Sequence, residues 1–161
     1  MNTPPGCKHS NVENDANAPL IISVPGRNTA GKSTKALAEF VDIYPTLAEL
    51  SELARPEHLE GTSLVPVLRD VARSVKSASF SQYPRSTNGK QLMGYSMRTD
   101  RYRFTRWVAR QDHAQLDAVE LYDHQADPQE NVNIANDPAN AELVAKLTEQ
   151  WRQGWRGARL E

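Results

Sequence analysis

The 161-residue sequence contains one cysteine, Cys7. A single thiol excludes an internal disulfide and a multi-cysteine zinc site. An excess of charge is missing as well: 19 Lys and Arg stand against 20 Asp and Glu, a net charge of −1. That balance argues against a basic domain built to hold nucleic acid. No run approaches the ~18 apolar residues of a membrane span. The longest, Pro19-Leu-Ile-Ile-Ser-Val24, is only strand-sized. Met1-Asn-Thr-Pro-Pro-Gly6 has neither a basic start nor an apolar stretch and does not read as a signal peptide. What is present, 39% hydrophobic and 24% charged residues, is the balance of a globular chain long enough for one real core.

Residues 1–18 show neither helical nor strand period and read as a loop or ragged end. Pro19 to Val24, closed by Pro25-Gly26, fits a strand buried on both faces of a larger sheet. Ala36 to Val41 reads as a short strand. Asp42 is a good N-cap, and Pro45 suits a first helical turn, which predicts a helix over about 43–53 with Leu47 and Leu50 facing inward. A short helix follows from Leu64 to about Arg69, then a polar linker from Asp70 to Lys76. From Ser77 the period becomes two. Strands are expected at 77–83, stopping at Pro84, and at 92–99, 102–108 and 119–122, with 92–108 a hairpin turning at Asp100-Arg101. Asp137-Pro138 opens a helix with Leu143, Leu147, Trp151 and Trp155 on one face.

Gly26-Arg-Asn-Thr-Ala-Gly-Lys-Ser33 matches the phosphate-loop pattern G-x-x-x-x-G-K-[ST], in which Lys32 would reach phosphates and Ser33 would bind magnesium. The context is poor. No later strand ends in the Asp that holds the metal, and the downstream pattern is antiparallel. A solvated Gly-rich loop is the stronger reading.

Several colinear segments resemble the C-terminal part of sulfatases, and the iduronate-2-sulfatase branch in particular. They are Cys7-Lys-His-Ser-Asn11, Ala18-Pro-Leu-Ile-Ile-Ser-Val-Pro-Gly26, Glu39-Phe-Val-Asp-Ile-Tyr-Pro-Thr-Leu-Ala-Glu-Leu50 and Leu59-Glu-Gly-Thr-Ser-Leu64. Ser81-Gln-Tyr-Pro-Arg85, Met93-Gly-Tyr-Ser-Met-Arg-Thr99, Tyr102-Arg-Phe-Thr-Arg-Trp-Val108, Glu120-Leu-Tyr-Asp123 and Asp127-Pro-Gln-Glu-Asn131 complete the series. The resemblance implies a mixed α/β (α+β) fold. Residues 19–70 would be the C-terminal edge of a large α/β domain, including its last strand and helix. Residues 77–161 would form a small four-stranded antiparallel sheet packed on a C-terminal helix.

The resemblance also implies chemistry. Sulfatases hydrolyse sulfate esters with a formylglycine made from the cysteine of a C-x-P/S-x-R motif, beside calcium held mostly by carboxylates. Cys7, followed by Lys-His-Ser-Asn, does not match that motif. The metal carboxylates would lie upstream of Met1, so this chain is expected to hold no calcium alone and to be inactive alone. By the same resemblance, Lys8 aligns with the lysine that contacts the sulfate, where a fixed ammonium would stabilise developing negative charge. His9 would line the same pocket, and Lys90 would meet the carboxylate of an iduronate. The implied partners are a sulfated sugar and an N-terminal sulfatase half.

Other residues weigh less. Arg85, Arg98, Arg101, Arg103 and Arg106 mark the strand region, where alternate arginines usually form a solvated face. His58, His113 and His124 are too scattered for a metal set, and Trp107, Trp151 and Trp155 fit packing better than sugar stacking. A non-catalytic module binding sulfated sugars or a partner chain is the alternative to a sulfatase part, and a nucleotide binder stands behind both.

Overall fold

The computed structural model describes residues 10–26, 29 and 31–160. The chain divides into two compact units, one of the described residues in 10–19 with 80–153, the other of those in 20–79 with 154–160.

The first unit is built on a four-stranded sheet in the order β1 (Ser79–Thr87), β2 (Lys90–Arg98), β3 (Tyr102–Ala109), β4 (Leu116–Asp123). β1 runs through Pro84 instead of stopping there. It lies at the sheet edge, where a residue without an N–H is tolerated. Asn88 (φ 49°) and Gly89 (φ 75°) then turn the chain. Asn-Gly is the pair that a two-residue hairpin with two positive φ values demands. The β2–β3 hairpin forms as the sequence predicts, with Tyr95 opposite Arg106 and Met97 opposite Phe104. β4 is longer than the expected 119–122, and the ladder slips between Trp107 and Val108. On its outer side Asn133 stands in for a further strand, its Oδ1 accepting from Leu121 N–H at 2.9 Å and its Nδ2 donating to Val119 O at 3.1 Å. Such a cover blunts an open sheet edge.

The two faces of this sheet differ in chemistry. One carries the row Met97, Phe104, Leu121, all fully buried. Asp137 caps the next helical segment, accepting from Ala139 N–H at 2.9 Å. A short 3₁₀ turn leads into α4 (Ala141–Gly157). α4 covers the apolar face with Trp151, which lies edge-on to Tyr95 and under Arg106, and it buries Leu147. Its common face ends earlier than the sequence suggests. Gly154 leaves helical geometry, so Trp155 falls in the second unit. The opposite sheet face presents Gly94, Ser96, Arg98, Arg103, Thr105, Trp107, Glu120 and Tyr122, joined by α1 (Glu13–Ala16).

The second unit holds a 3₁₀ turn at Phe40–Asp42, α2 (Ile43–Leu50) and α3 (Val65–Arg69). Leu64, Val67 and Val75 form its core, flanked by Ile22 and Ala36. Asp42 does not cap α2 with its side chain. Its carboxylate, fully buried, instead accepts from Glu39 N–H and Thr62 N–H, each at 2.8 Å, and from Lys76 Nζ at 2.6 Å. Lys76 is equally close to Glu39 Oε2. The buried Asp42 carboxylate and Lys76 ammonium together tie the segments around residues 39–42, 62 and 76, an arrangement that tolerates no loss of a partner. The C-terminal tail returns to this unit through Ser77 N–H to Ala158 O and Leu160 N–H to Val75 O.

Two sequence expectations change here. Pro19–Val24 and Ala36–Val41 contain no strand, since an apolar run becomes a strand only when another strand takes its backbone groups, and Ile21 is 90% exposed. Leu47 faces outward, 55% exposed, because the inner side of α2 is taken by Pro45, Thr46 and Ala48. The phosphate-loop look-alike is unchanged in its reading as a loop: among the described residues neither a strand directly before Gly26 nor a helix directly after Ser33 is present. Thr29 Oγ1 donates to Leu68 O, so this loop is tied to α3.

Candidate functional site

The polar sheet face concentrates the charge. Cross-strand register sets Arg98 directly opposite Arg103, and Arg103 opposite Tyr122. Two like charges facing across strands repel, so carboxylates must intervene. Glu13 supplies one from α1: its Oε2 accepts from Arg98 Nε at 3.2 Å and from Arg103 Nη2. Glu130 supplies the other, its Oε1 accepting from Arg103 Nε at 2.6 Å while its Oε2 accepts from Glu13 N–H at 2.9 Å. His124 Nε2 sits 2.7 Å from Glu130 Oε1. Ser96 Oγ accepts from Arg103 Nη1 at 3.3 Å and from Thr105 Oγ1 at 2.9 Å. The Arg103 side chain is 4% exposed and that of Glu130 2%, so Arg103 is no part of a solvated face. Burial opposes ionisation of Glu13, but the Arg103 and Arg98 guanidiniums outweigh it and hold its carboxyl below the usual value.

Next to this cluster, Gly94 lies against the indole of Trp107, and Asn11 Nδ2 donates to Gly94 O at 2.9 Å. Arg85 lies over the Trp107 ring, 3.6 Å from its centroid, with Nη1 at 3.5 Å from Glu120 Oε1. Tyr122 is half-buried among Glu120, Glu130 and Asp127, and burial followed by these charges pushes its hydroxyl up to about 12.

The remaining arginines have partners too. Arg101 makes a two-pronged contact with Asp123, and Arg106 stacks on Trp151. Most of the guanidinium charge is therefore matched inside the unit and does not form an open cationic track for a polyanion. Trp107 is buried and Trp155 lies under Arg156 and Arg159, so the tryptophans serve packing.

Lys8 and His9 fall outside the described residues. Lys90 opens β2 with its side chain 61% exposed and paired to Asp117. Of the scattered histidines, His58 is exposed and His113 meets the Tyr95 ring at 5.5 Å. His124 does join a group, with Glu13 and Glu130, whose ligand atoms lie within 4.8 Å of one another. That group does not fit calcium. The ion takes six to eight oxygen ligands, whereas this group offers one imidazole and two carboxylates, and the carboxylates are already matched by the Arg98 and Arg103 guanidiniums. Sequence reasoning missed Asn11, Glu13 and Glu130 as members of the cluster. Glu130 sits in the quoted Asp127-Pro-Gln-Glu-Asn131 segment with φ 57°, a conformation no periodicity signals.

Comparison with known proteins agrees with this architecture. The family model described as N-sulphoglucosamine sulphohydrolase, C-terminal, matches residues 8–156. Mouse iduronate 2-sulfatase is 28% identical over 87% of this chain and 37% of its own length. A Delta 4,5-hexuronate-2-O-sulfatase of Bacteroides thetaiotaomicron is 31% identical over 81% of this chain and 26% of its own. The solved structure of a 2-O GAG sulfatase superposes with a TM-score of 0.54 at 28% identity, covering 71% of this chain and 24% of that one. The chain thus spans roughly a quarter to a third of the relatives it matches. With a four-stranded antiparallel sheet closed by a terminal helix and a family match over most of its length, the chain belongs to the sulfatase family, as its C-terminal domain.

Proposed function

We propose that this chain is the C-terminal part of a sulfatase that hydrolyses sulfate esters of glycosaminoglycan-type sugars, in the manner of the iduronate-2-sulfatase branch, and that these residues alone do not turn over substrate. The match of residues 8–156 to the family carries the reading. Two of the relatives are named for removing a 2-sulfate from a uronic acid, which supports an anionic sugar bearing both sulfate and carboxylate.

Within this reading Lys8 contacts the sulfate, His9 lines the same pocket and Lys90 meets the uronic carboxylate. The placement of Lys90 supports the last role: an exposed ammonium with one carboxylate partner keeps further donors for a second anion. Calcium belongs to the family's chemistry, in which it draws charge from the sulfate; the described residues form no cage for it, and no step is assigned to a metal held here.

The experiment is an assay of the purified 161-residue chain on an aryl sulfate and on a 2-sulfated uronide, with calcium and with a chelator. No turnover is expected. Turnover abolished by chelation overturns the inactivity. The coding DNA upstream supplies the second arm: a frame encoding C-x-P/S-x-R supports a sulfatase part, and its absence sinks the catalytic reading.

A further inference from the structure

β3 places a charged side chain on the sheet face that α4 covers. Arg106 stands two residues after the fully buried Phe104 and therefore on the same side of the strand. The neighbouring arginines each reach a carboxylate: Arg85 meets Glu120, Arg98 meets Glu13, Arg101 meets Asp123 and Arg103 meets both Glu13 and Glu130. Arg106 has no carboxylate partner among the described residues, and its Nε is buried without a hydrogen-bond acceptor. Its contacts are with rings. The guanidinium lies over Trp151 of α4, 4.9 Å from the ring centroid. Tyr95 is directly opposite on β2, with its own ring 6.4 Å from that of Trp151. His113, from the loop between β3 and β4, meets the Tyr95 ring edge-on, and its Nδ1 lies 3.5 Å from the Tyr95 hydroxyl at the exposed rim.

A second cation stands beside the first. Burial, and after it the like charge of Arg152, pulls the Arg106 guanidinium below its usual value. Arg152 has only a loose pair with Glu149 at 3.6 Å, both side chains well exposed, and such a surface pair holds little energy. Covering the indole requires the stem of Arg106, but it does not require two guanidiniums held near each other with no buried anion between them.

We propose that Arg106 and Arg152, bordered by Tyr95 and His113, form a subsite for a sulfate group carried on a sugar chain. The sugar part of the assignment rests on the function proposed above. Two guanidiniums supply the charge-assisted donors that a tetrahedral oxyanion takes. Arg106 is already stacked on Trp151, so little freedom is lost when the anion arrives. The rims of Tyr95 and His113 add a ring surface for the C–H groups of a sugar, with a hydroxyl and a ring nitrogen for its hydroxyls. Trp151 supports the arginine and is not itself the sugar platform. Two cations make too short a patch for the track that a nucleic acid requires.

The test titrates the full chain with a sulfated glycosaminoglycan tetrasaccharide, its desulfated counterpart and inorganic sulfate, following the heat of binding and the indole N–H resonance of Trp151. Saturable binding of the sulfated tetrasaccharide that shifts this resonance is expected, with none for the desulfated one. Arg106→Gln should weaken binding about tenfold or more, the loss expected for a hydrogen bond to a charged group. Arg152→Gln, at an exposed position that folding does not depend on, should weaken it about threefold or more by the loss of one exposed charge. Arg69→Gln, exposed on α3 in the other unit, should change nothing. Absence of binding, equal affinity for the desulfated sugar or for inorganic sulfate, a neutral Arg152→Gln, or an equal loss from Arg69→Gln overturns the subsite. The two readings fail separately. An upstream frame without C-x-P/S-x-R removes the catalytic reading and leaves Arg106-dependent binding standing, whereas native affinity in both Arg106→Gln and Arg152→Gln removes the subsite alone.

Discussion

Gly94 and Trp107 face each other across β2 and β3 so closely that a Cβ on Gly94 would stand 2.6 Å from Trp107 Cζ3, and 2.8 Å from Asn11 Nδ2. The glycine of the Met-Gly-Tyr-Ser segment is therefore a packing requirement. Gly94→Ala forces the indole off its seat under Arg85 or breaks the Asn11 bond. A loss of about 1–3 kcal/mol is expected for such overpacking, read as a lower urea midpoint with an unchanged slope. A neutral Gly94→Ala would show that the indole can shift freely.

Arg103 is held between Glu13 and Glu130 with almost no water contact. Glu130→Ala leaves a buried guanidinium short of a counter-charge, and breaking a buried pair in this way costs about 3–5 kcal/mol. Replacing both partners, Arg103→Met with Glu130→Leu, should cost less than Glu130→Ala alone. A double-mutant cycle by chemical denaturation measures the coupling, and additive losses would contradict it.

Acid should loosen the same cluster. The carboxyl of Glu13 is held below its ordinary value of 4.5 in the fold, so its ionised form stabilises the native state. That contribution is fully present above about pH 4.5 and is lost as pH falls through the lower folded value. Acid unfolding followed by tryptophan fluorescence should show a weaker pH dependence below pH 4.5 in Glu13→Gln than in the native sequence. Equal slopes would mean that Glu13 does not couple to folding.

Alkali acts on Tyr122 with the opposite proton balance. Burial raises its hydroxyl from 10.0 to about 12, so between these values the unfolded chain releases a proton that the folded chain retains. Stability should fall as pH rises from about 10 to 12. Tyr122→Phe removes that loss, and an alkaline melt identical to the native one would refute the assignment.

The antiparallel hairpin was legible because alternation at Met93, Tyr95 and Met97 against Phe104 and Val108 is a local pattern with a period of two. The β1–β2 turn was equally open to view in Asn88-Gly89, but Pro84 drew the strand end too early. At an edge, one lost N–H costs the sheet nothing. The arginines misled for a different reason. Arg103 alternates like a surface residue, yet α1 and the loop bearing Glu130 fold over it, and both lie far away in sequence.

By itself, then, the sequence determined the family, the antiparallel sheet, the C-terminal helix and the balance of charge, all of which rest on composition, local period and colinear motifs. Tertiary structure alone decided which polar residues are buried together. Glu13 and Arg103 are 90 positions apart, and the cost of desolvating either charge is met only when the fold brings the other within hydrogen-bond reach. It also decided that α2 turns its apolar stripe outward, because the inner side was already taken by the network around Asp42 and Thr46.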